Sequence, residues 1–148
     1  MGHIYIDTGR TLTKKRPDDV VIEPSFTQLY RGAFRVIAQI NGACAKNLLI
    51  WAIGRMDGWN RIILNKARRM DFIGDCIAAG GKKYSDSSVK NAILEILASG
   101  AIVSTSDDGR RESAYMVNPY FFWKTKNQRD RAEAIRAYIN KLKENEGN

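Results

Sequence analysis

One histidine, His3, stands in the whole chain, close to its start. That scarcity excludes a good deal of chemistry. A nicking enzyme needs a nucleophilic tyrosine beside a divalent metal held by a histidine pair, and one histidine cannot make a pair. The two cysteines, Cys44 and Cys76, have no CxxC spacing, so no zinc site is expected. Both lie in apolar helical surroundings and read as small buried hydrophobes. No apolar run approaches about 18 residues, and no charged-then-apolar leader opens the sequence. The expectation is a soluble, reduced, cytoplasmic protein without membrane contact. No GxxxxGK[ST] loop is present, so ATP hydrolysis through a P-loop is not expected. No repeat, low-complexity tract or cofactor box is visible. The sequence gives no reason to expect an enzyme, a metal or a cofactor.

What is present is positive charge on a chain of single-domain size. The 148 residues carry 24 Lys and Arg against 16 Asp and Glu, a net charge of +8. A chain of this length buries roughly 68–70% of its unfolded surface. The basic excess favours a polyanionic partner. It is spread along the sequence, but within residues 65–91 Lys66, Arg68, Arg69, Lys82, Lys83 and Lys90 oppose only Asp71, Asp75 and Asp86.

Residues 65–119 organise the rest. They read as helix, turn, second helix and a two-stranded wing. Asn65 is placed to cap a helix over 66–78, with Ala67, Met70, Ile73, Cys76 and Ile77 inward. Ser85 opens the second helix as an N-cap. Val89, Ile93, Ile96 and Leu97 recur at i, i+4, i+7 and i+8, one face of a helix. Gly100 is a natural stop. Ser87, Lys90 and Asn91 lie opposite. Small, polar and cationic side chains on an exposed helix face suit a DNA major groove, where Asn can pair with adenine and Lys can reach guanine or phosphate. A short strand over 101–105 follows, then a turn at Ser106, Asp107, Asp108 and Gly109, then a returning strand over 113–118. Arg110 and Arg111, just past the turn, are placed to clamp phosphate or enter the minor groove.

Earlier in the chain, residues 1–23 read as a strand over 3–6, a turn and a basic arm at Lys14, Lys15 and Arg16. Pro24 and Ser25 open a first helix whose stripe is Phe26, Leu29, Tyr30, Ala33, Phe34, Ile37 and Ile40. A second, largely buried helix over 43–56 follows, then a strand over 61–64. After Phe121, Phe122 and Trp123 comes a charged helix over 127–144. Its stripe of Ile135, Tyr138, Ile139 and Leu142 can pack on its own domain or on a second copy.

The fold class expected is α+β, predominantly helical: a winged helix-turn-helix over 24–123 with a small sheet, flanked by the arm over 1–23 and the charged helix over 124–148. Two further residues next to the second helix, Tyr84 and Ser88, join Lys66, Arg68, Arg69, Lys82, Lys83, Ser85, Ser87, Lys90, Asn91, Arg110 and Arg111 as the expected DNA-contacting set.

Over residues 26–123 the chain resembles the RepL-type replication initiators of small bacterial plasmids. The likeness is carried by the apolar helix pair, WAIGRMD at 51–57, the strand running into Asn65, the helix-turn-helix, the short wing and YMVNP at 115–119. It implies a winged helix that binds double-stranded plasmid-origin DNA to start replication; the charged tail beyond Trp123 is expected to serve a homodimer or to recruit host replication proteins. It also implies that Tyr115, Asn118 and Pro119 lock the returning strand onto the core. Two features depart from the pattern: the basic segment 79–84 is longer than a tight turn, and the tail beyond Trp123 is longer. The competing reading is a winged-helix transcriptional regulator, for example a plasmid copy-number repressor, which would use the same fold and face.

Overall fold

A computed structural model describes residues 27–105, 113–124 and 127–146, and the fold is α+β. β1 (Gln28–Leu29) leads into α1 (Ala33–Gln39) and α2 (Ala43–Arg55). β2 (Arg61–Ile63) precedes α3 (Lys66–Ala78) and α4 (Asp86–Ser99). β3 (Ile102–Ser104), β4 (Ala114–Val117) and β5 (Phe122–Trp123) follow, and α5 (Gln128–Glu146) comes last. β2, β4 and β3 form an antiparallel sheet in that order, while β1 pairs with β5.

The caps of α3 and α4 fall where the residue types demand. The Asn65 side chain accepts the Arg68 N–H at 2.9 Å, and Ser85 Oγ accepts the Ser88 N–H at 3.1 Å. Each satisfies one of the orphan donors at a helix start. At the other end of α4, Gly100 has φ +83°, a left-handed geometry that glycine adopts without a Cβ penalty.

Strand periodicity divides the interior in two. Successive side chains on a strand face opposite ways. Ile102, Tyr115, Val117 and Phe122 join the main core with α1 to α4, around Leu48, Leu49, Phe72, Val89 and Ile96. Val103, Met116 and Trp123 face the other way and form a second cluster with Ala134 and Tyr138 of α5. The sheet is therefore covered by α5 on its far face. Of the stripe expected on α5, Tyr138 is buried, Ile135 and Leu142 are half-buried and Ile139 is exposed. Self-packing, one of the two options open for this helix, is what it does. In the 115–119 segment Tyr115 and Pro119 are buried, and Asn118 Nδ2 donates to the Gly100 carbonyl at 3.1 Å.

Two polar pegs brace the main core. Asn60 is fully buried with φ +63°, and its Nδ2 donates to the carbonyls of Val117 (3.0 Å) and Phe122 (2.6 Å). Glu95 of α4 accepts the N–H groups of Asn41 (2.8 Å) and Gly42 (3.0 Å) and so caps α2 from outside.

Two expectations need correction. The first helix begins at Ala33, not near Pro24, because Gln28 and Leu29 pair as a strand with Trp123 and Phe122. Its inward residues are Ala33, Val36 and Ile40, whereas Leu29 and Phe34 are exposed. In α3 the inward face is rotated. Phe72 and Ile73 are buried, Cys76 is half-buried, and Ala67, Met70 and Ile77 face solvent. The Phe72 ring, stacked on Tyr84 and edge-on to Trp51, sets that rotation. The expected arm over 1–23, the Ser106–Gly109 turn, Arg110 and Arg111 lie outside the described residues.

Candidate nucleic-acid interface

The start of α4 is fixed by the segment that enters it. Residues 81–85 are neither helix nor strand, so their placement depends on one anchor. Tyr84 supplies it. Its ring stacks on Phe72 with centroids 6.1 Å apart and planes 5° from parallel, and its hydroxyl accepts from Asn47 Nδ2 at 3.1 Å. Lys82 and Lys83, just ahead of it, remain exposed.

The first turn of α4 is an electrostatic hub. Arg69 Nε donates to Asp86 Oδ1 at 2.8 Å, while its Nη1 donates to the Leu64 carbonyl at 3.0 Å. Only 13% of the Arg69 side chain is exposed. Lys90 Nζ lies 3.7 Å from Asp86 Oδ2. The hydrogen bond from Arg69 holds the Asp86 carboxyl below its usual range against partial burial, helped by the charges of Arg69, Lys90 and Lys66.

Beyond the hub, α4 presents one outward stripe. Ser87, Asn91, Leu94 and Ala98 are spaced i, i+4, i+7 and i+11, with Lys90 at the edge, and all five are exposed. Leu94, 63% exposed, lies at the middle of that stripe. No acidic residue belongs to it. Lys66, Arg68, Lys82 and Lys83 are exposed and have no ion-pair partner among the described residues. A cationic rim around a polar helix face can bind phosphates at its edge and read bases at its centre.

The expected residues thus separate. Ser87, Lys90 and Asn91 share one surface, and Lys66 is exposed at the start of α3. Arg68, Lys82 and Lys83 are free cations on the flanking elements. Tyr84 faces the core and is an anchor, a correction to its place in the contacting set. Arg69 is spent on Asp86 and Leu64. Ser85 and Ser88 cap the helix and bond to each other through their hydroxyls at 3.0 Å. Leu94 was absent from the expected set, although its i+3 spacing from Asn91 places it on the same face. Burial raises both thiols, with Cys76 and Glu95 adding to the effect at Cys44 and Asp75 at Cys76, so neither is an activated nucleophile. No protein-family model, curated protein or solved structure matches this chain. No helix of the described residues is long and apolar enough to cross a membrane.

Proposed function

We propose that this chain binds double-stranded DNA through the outward face of α4, and that it starts replication of a plasmid by holding its origin without cutting it. The observation that carries the duplex reading is the acid-free stripe of Ser87, Asn91, Leu94 and Ala98 with Lys90 at its edge, on a chain whose preceding elements carry the exposed Lys66, Arg68, Lys82 and Lys83, without ion-pair partners among the described residues. The chain order from α2 to β4 is helix, strand, helix, helix, strand, strand, which is compatible with a winged helix in which α4 would be the recognition helix. The initiation half rests on the resemblance at 115–119.

Binding energy then does the mechanical work. Copies on adjacent sites, as a homodimer or higher, would bend the duplex at a cost of order 1–6 kcal/mol, offset by extra backbone contacts. Host proteins supply the covalent chemistry. The test has two arms. A supercoiled origin plasmid incubated with the protein and Mg²⁺ or Mn²⁺ should stay covalently closed. A plasmid whose only replication gene encodes this chain should be maintained, and should be lost when Lys90 and Asn91 become alanine. Tyrosine-linked nicked DNA would overturn the non-cutting mechanism. Maintenance without the gene would leave a transcriptional regulator as the better reading.

A further inference from the structure

A second surface lies at the opposite end of α4, beside Ser99 and Gly100. It is a groove of about 650 Å³. Its lining brings Arg31, Arg35 and Gln39 together with Tyr120, Phe121 and Leu142, and includes no acidic side chain. Arg31 and Arg35 have no hydrogen-bonding or ionic side-chain partner among the described residues. They are four positions apart, and the intervening Gly32 has helical backbone angles. Like charges at that spacing repel each other on a helix surface. Arg31 lies just ahead of α1, and an anion across the two guanidinium groups would offset their repulsion.

The aromatic side of the groove is equally specific. Tyr120 is 58% exposed, yet its position is set. Its N–H donates to Asn118 Oδ1 at 2.9 Å, its carbonyl accepts from Arg131 Nη2 at 2.7 Å, and its ring meets Phe121 edge-on with centroids 5.2 Å apart while the Arg131 guanidinium stands 6.0 Å from the ring centroid. Phe121 in turn packs over Gly32, where a Cβ would come within 2.6 Å of the ring. Phe34, 79% exposed and three residues beyond Arg31, adds a second solvent-facing ring at the edge of the same helix surface. An exposed, positioned ring beside arginines without side-chain partners among the described residues supplies the two parts of a single-strand binding surface: a base stacks on the ring and phosphates take the cations. A duplex keeps its base faces stacked inside and cannot use such a platform.

We propose that this groove binds single-stranded nucleic acid, with phosphates on Arg31 and Arg35 and a base stacked on Tyr120. It uses no residue of the outward stripe of α4, so it stands or falls separately from the duplex reading. The experiment measures anisotropy of a labelled twelve-residue oligothymidylate and of a labelled duplex with the full chain. Arg31→Ala with Arg35→Ala should weaken oligothymidylate binding at least about tenfold and reduce the log–log salt slope by roughly 1.4, for two single-strand phosphates. Tyr120→Leu should weaken it by about tenfold through lost stacking. Both variants should bind the duplex like wild type, and the Lys90→Ala, Asn91→Ala variant should bind oligothymidylate like wild type. No oligothymidylate binding by the wild type, or equal binding by the arginine variant, overturns the proposal. So does displacement of the oligonucleotide by an equal concentration of a twelve-residue polyglutamate peptide, which would reduce the groove to a general anion site. Oligothymidylate binding without duplex binding would instead sustain this proposal and overturn the duplex reading.

Discussion

The Tyr138 hydroxyl donates to the Gly100 carbonyl at 2.7 Å, joining the last helix to the residue that ends α4. The same carbonyl accepts from Asn118, so the end of the outward-facing helix, the turn after β4 and α5 meet at one oxygen. Burial pushes the Tyr138 phenol well above its ordinary value of 10.0. A raised folded-state value means the folded chain holds a proton that the unfolded chain releases. Stability is therefore intact below pH 10 and falls as pH rises through and beyond that value. Tyr138→Phe should cost about 0.5–1.5 kcal/mol at neutral pH and flatten this alkaline loss, as measured by urea unfolding across pH. An alkaline profile unchanged by the substitution would assign the effect elsewhere.

Asp86 has the opposite sign. Its carboxyl is held low by Arg69, so its contribution is present above the ordinary carboxylate value of 3.8 and is lost as pH falls through the still lower folded value. Asp86→Asn should lower stability at neutral pH and remove that acid-side decline. It also releases Arg69 and Lys90, so non-specific duplex affinity should rise. Unchanged affinity at constant fold would place the hub outside the binding surface.

Duplex contacts should divide by type. Neutralising about five phosphates predicts a log–log salt slope of roughly −4 to −5. Asn91→Ala and Ser87→Ala should cut discrimination between specific and random duplex by about 1–3 kcal/mol. Arg110→Ala and Arg111→Ala should weaken all sequences alike and lower the slope. Sequence preference altered by the arginine variants alone would reverse the roles of helix and wing.

Leu94 extends that set. An exposed apolar side chain in the middle of a polar reading face fits the thymine methyl group. Once a preferred site is selected from random duplexes, replacing its thymines by uracil one at a time should weaken wild type at one position. Leu94→Ala should lose sensitivity at that position only.

Asn60 offers a test of the core. Asn60→Ala removes the donors to Val117 and Phe122 and keeps a left-handed backbone, so it should cost about 2–4 kcal/mol. Asn60→Gly relieves the backbone and loses the same bonds, so it should be the milder change in thermal unfolding.

Much of this architecture was legible in the residues. The caps at Asn65 and Ser85, the stop at Gly100 and the α4 stripe are local events, fixed by side chains that bond within a turn of where they sit. What escaped was set by distant partners. Nothing near Gln28 announces that it will pair with Trp123, and that pairing shortened the first helix. Phe72 outcompeted Met70 for the interior because Trp51 and Tyr84, far away in sequence, give its ring two aromatic neighbours. Tyr84 looked like a groove contact because its neighbours are lysines. Its burial depends on Asn47 and Phe72. The outward stripe was read correctly at Ser87, Lys90 and Asn91 because exposure on a helix follows from the buried positions opposite. Leu94, three residues beyond Asn91 on the same face, was left out of that set.

The sheet whose far face is closed by α5 has a consequence for biosynthesis. During translation Val103, Met116 and Trp123 leave the ribosome before Ala134 and Tyr138, and β1 waits for β5 across almost the whole described chain. A nascent chain stopped after Lys126 would carry an uncovered apolar sheet face, the kind of surface that draws chaperones or aggregates. Such a fragment should not survive as a smaller version of the same protein. Completion of the last helix is a checkpoint on whether any copy reaches its native fold at all.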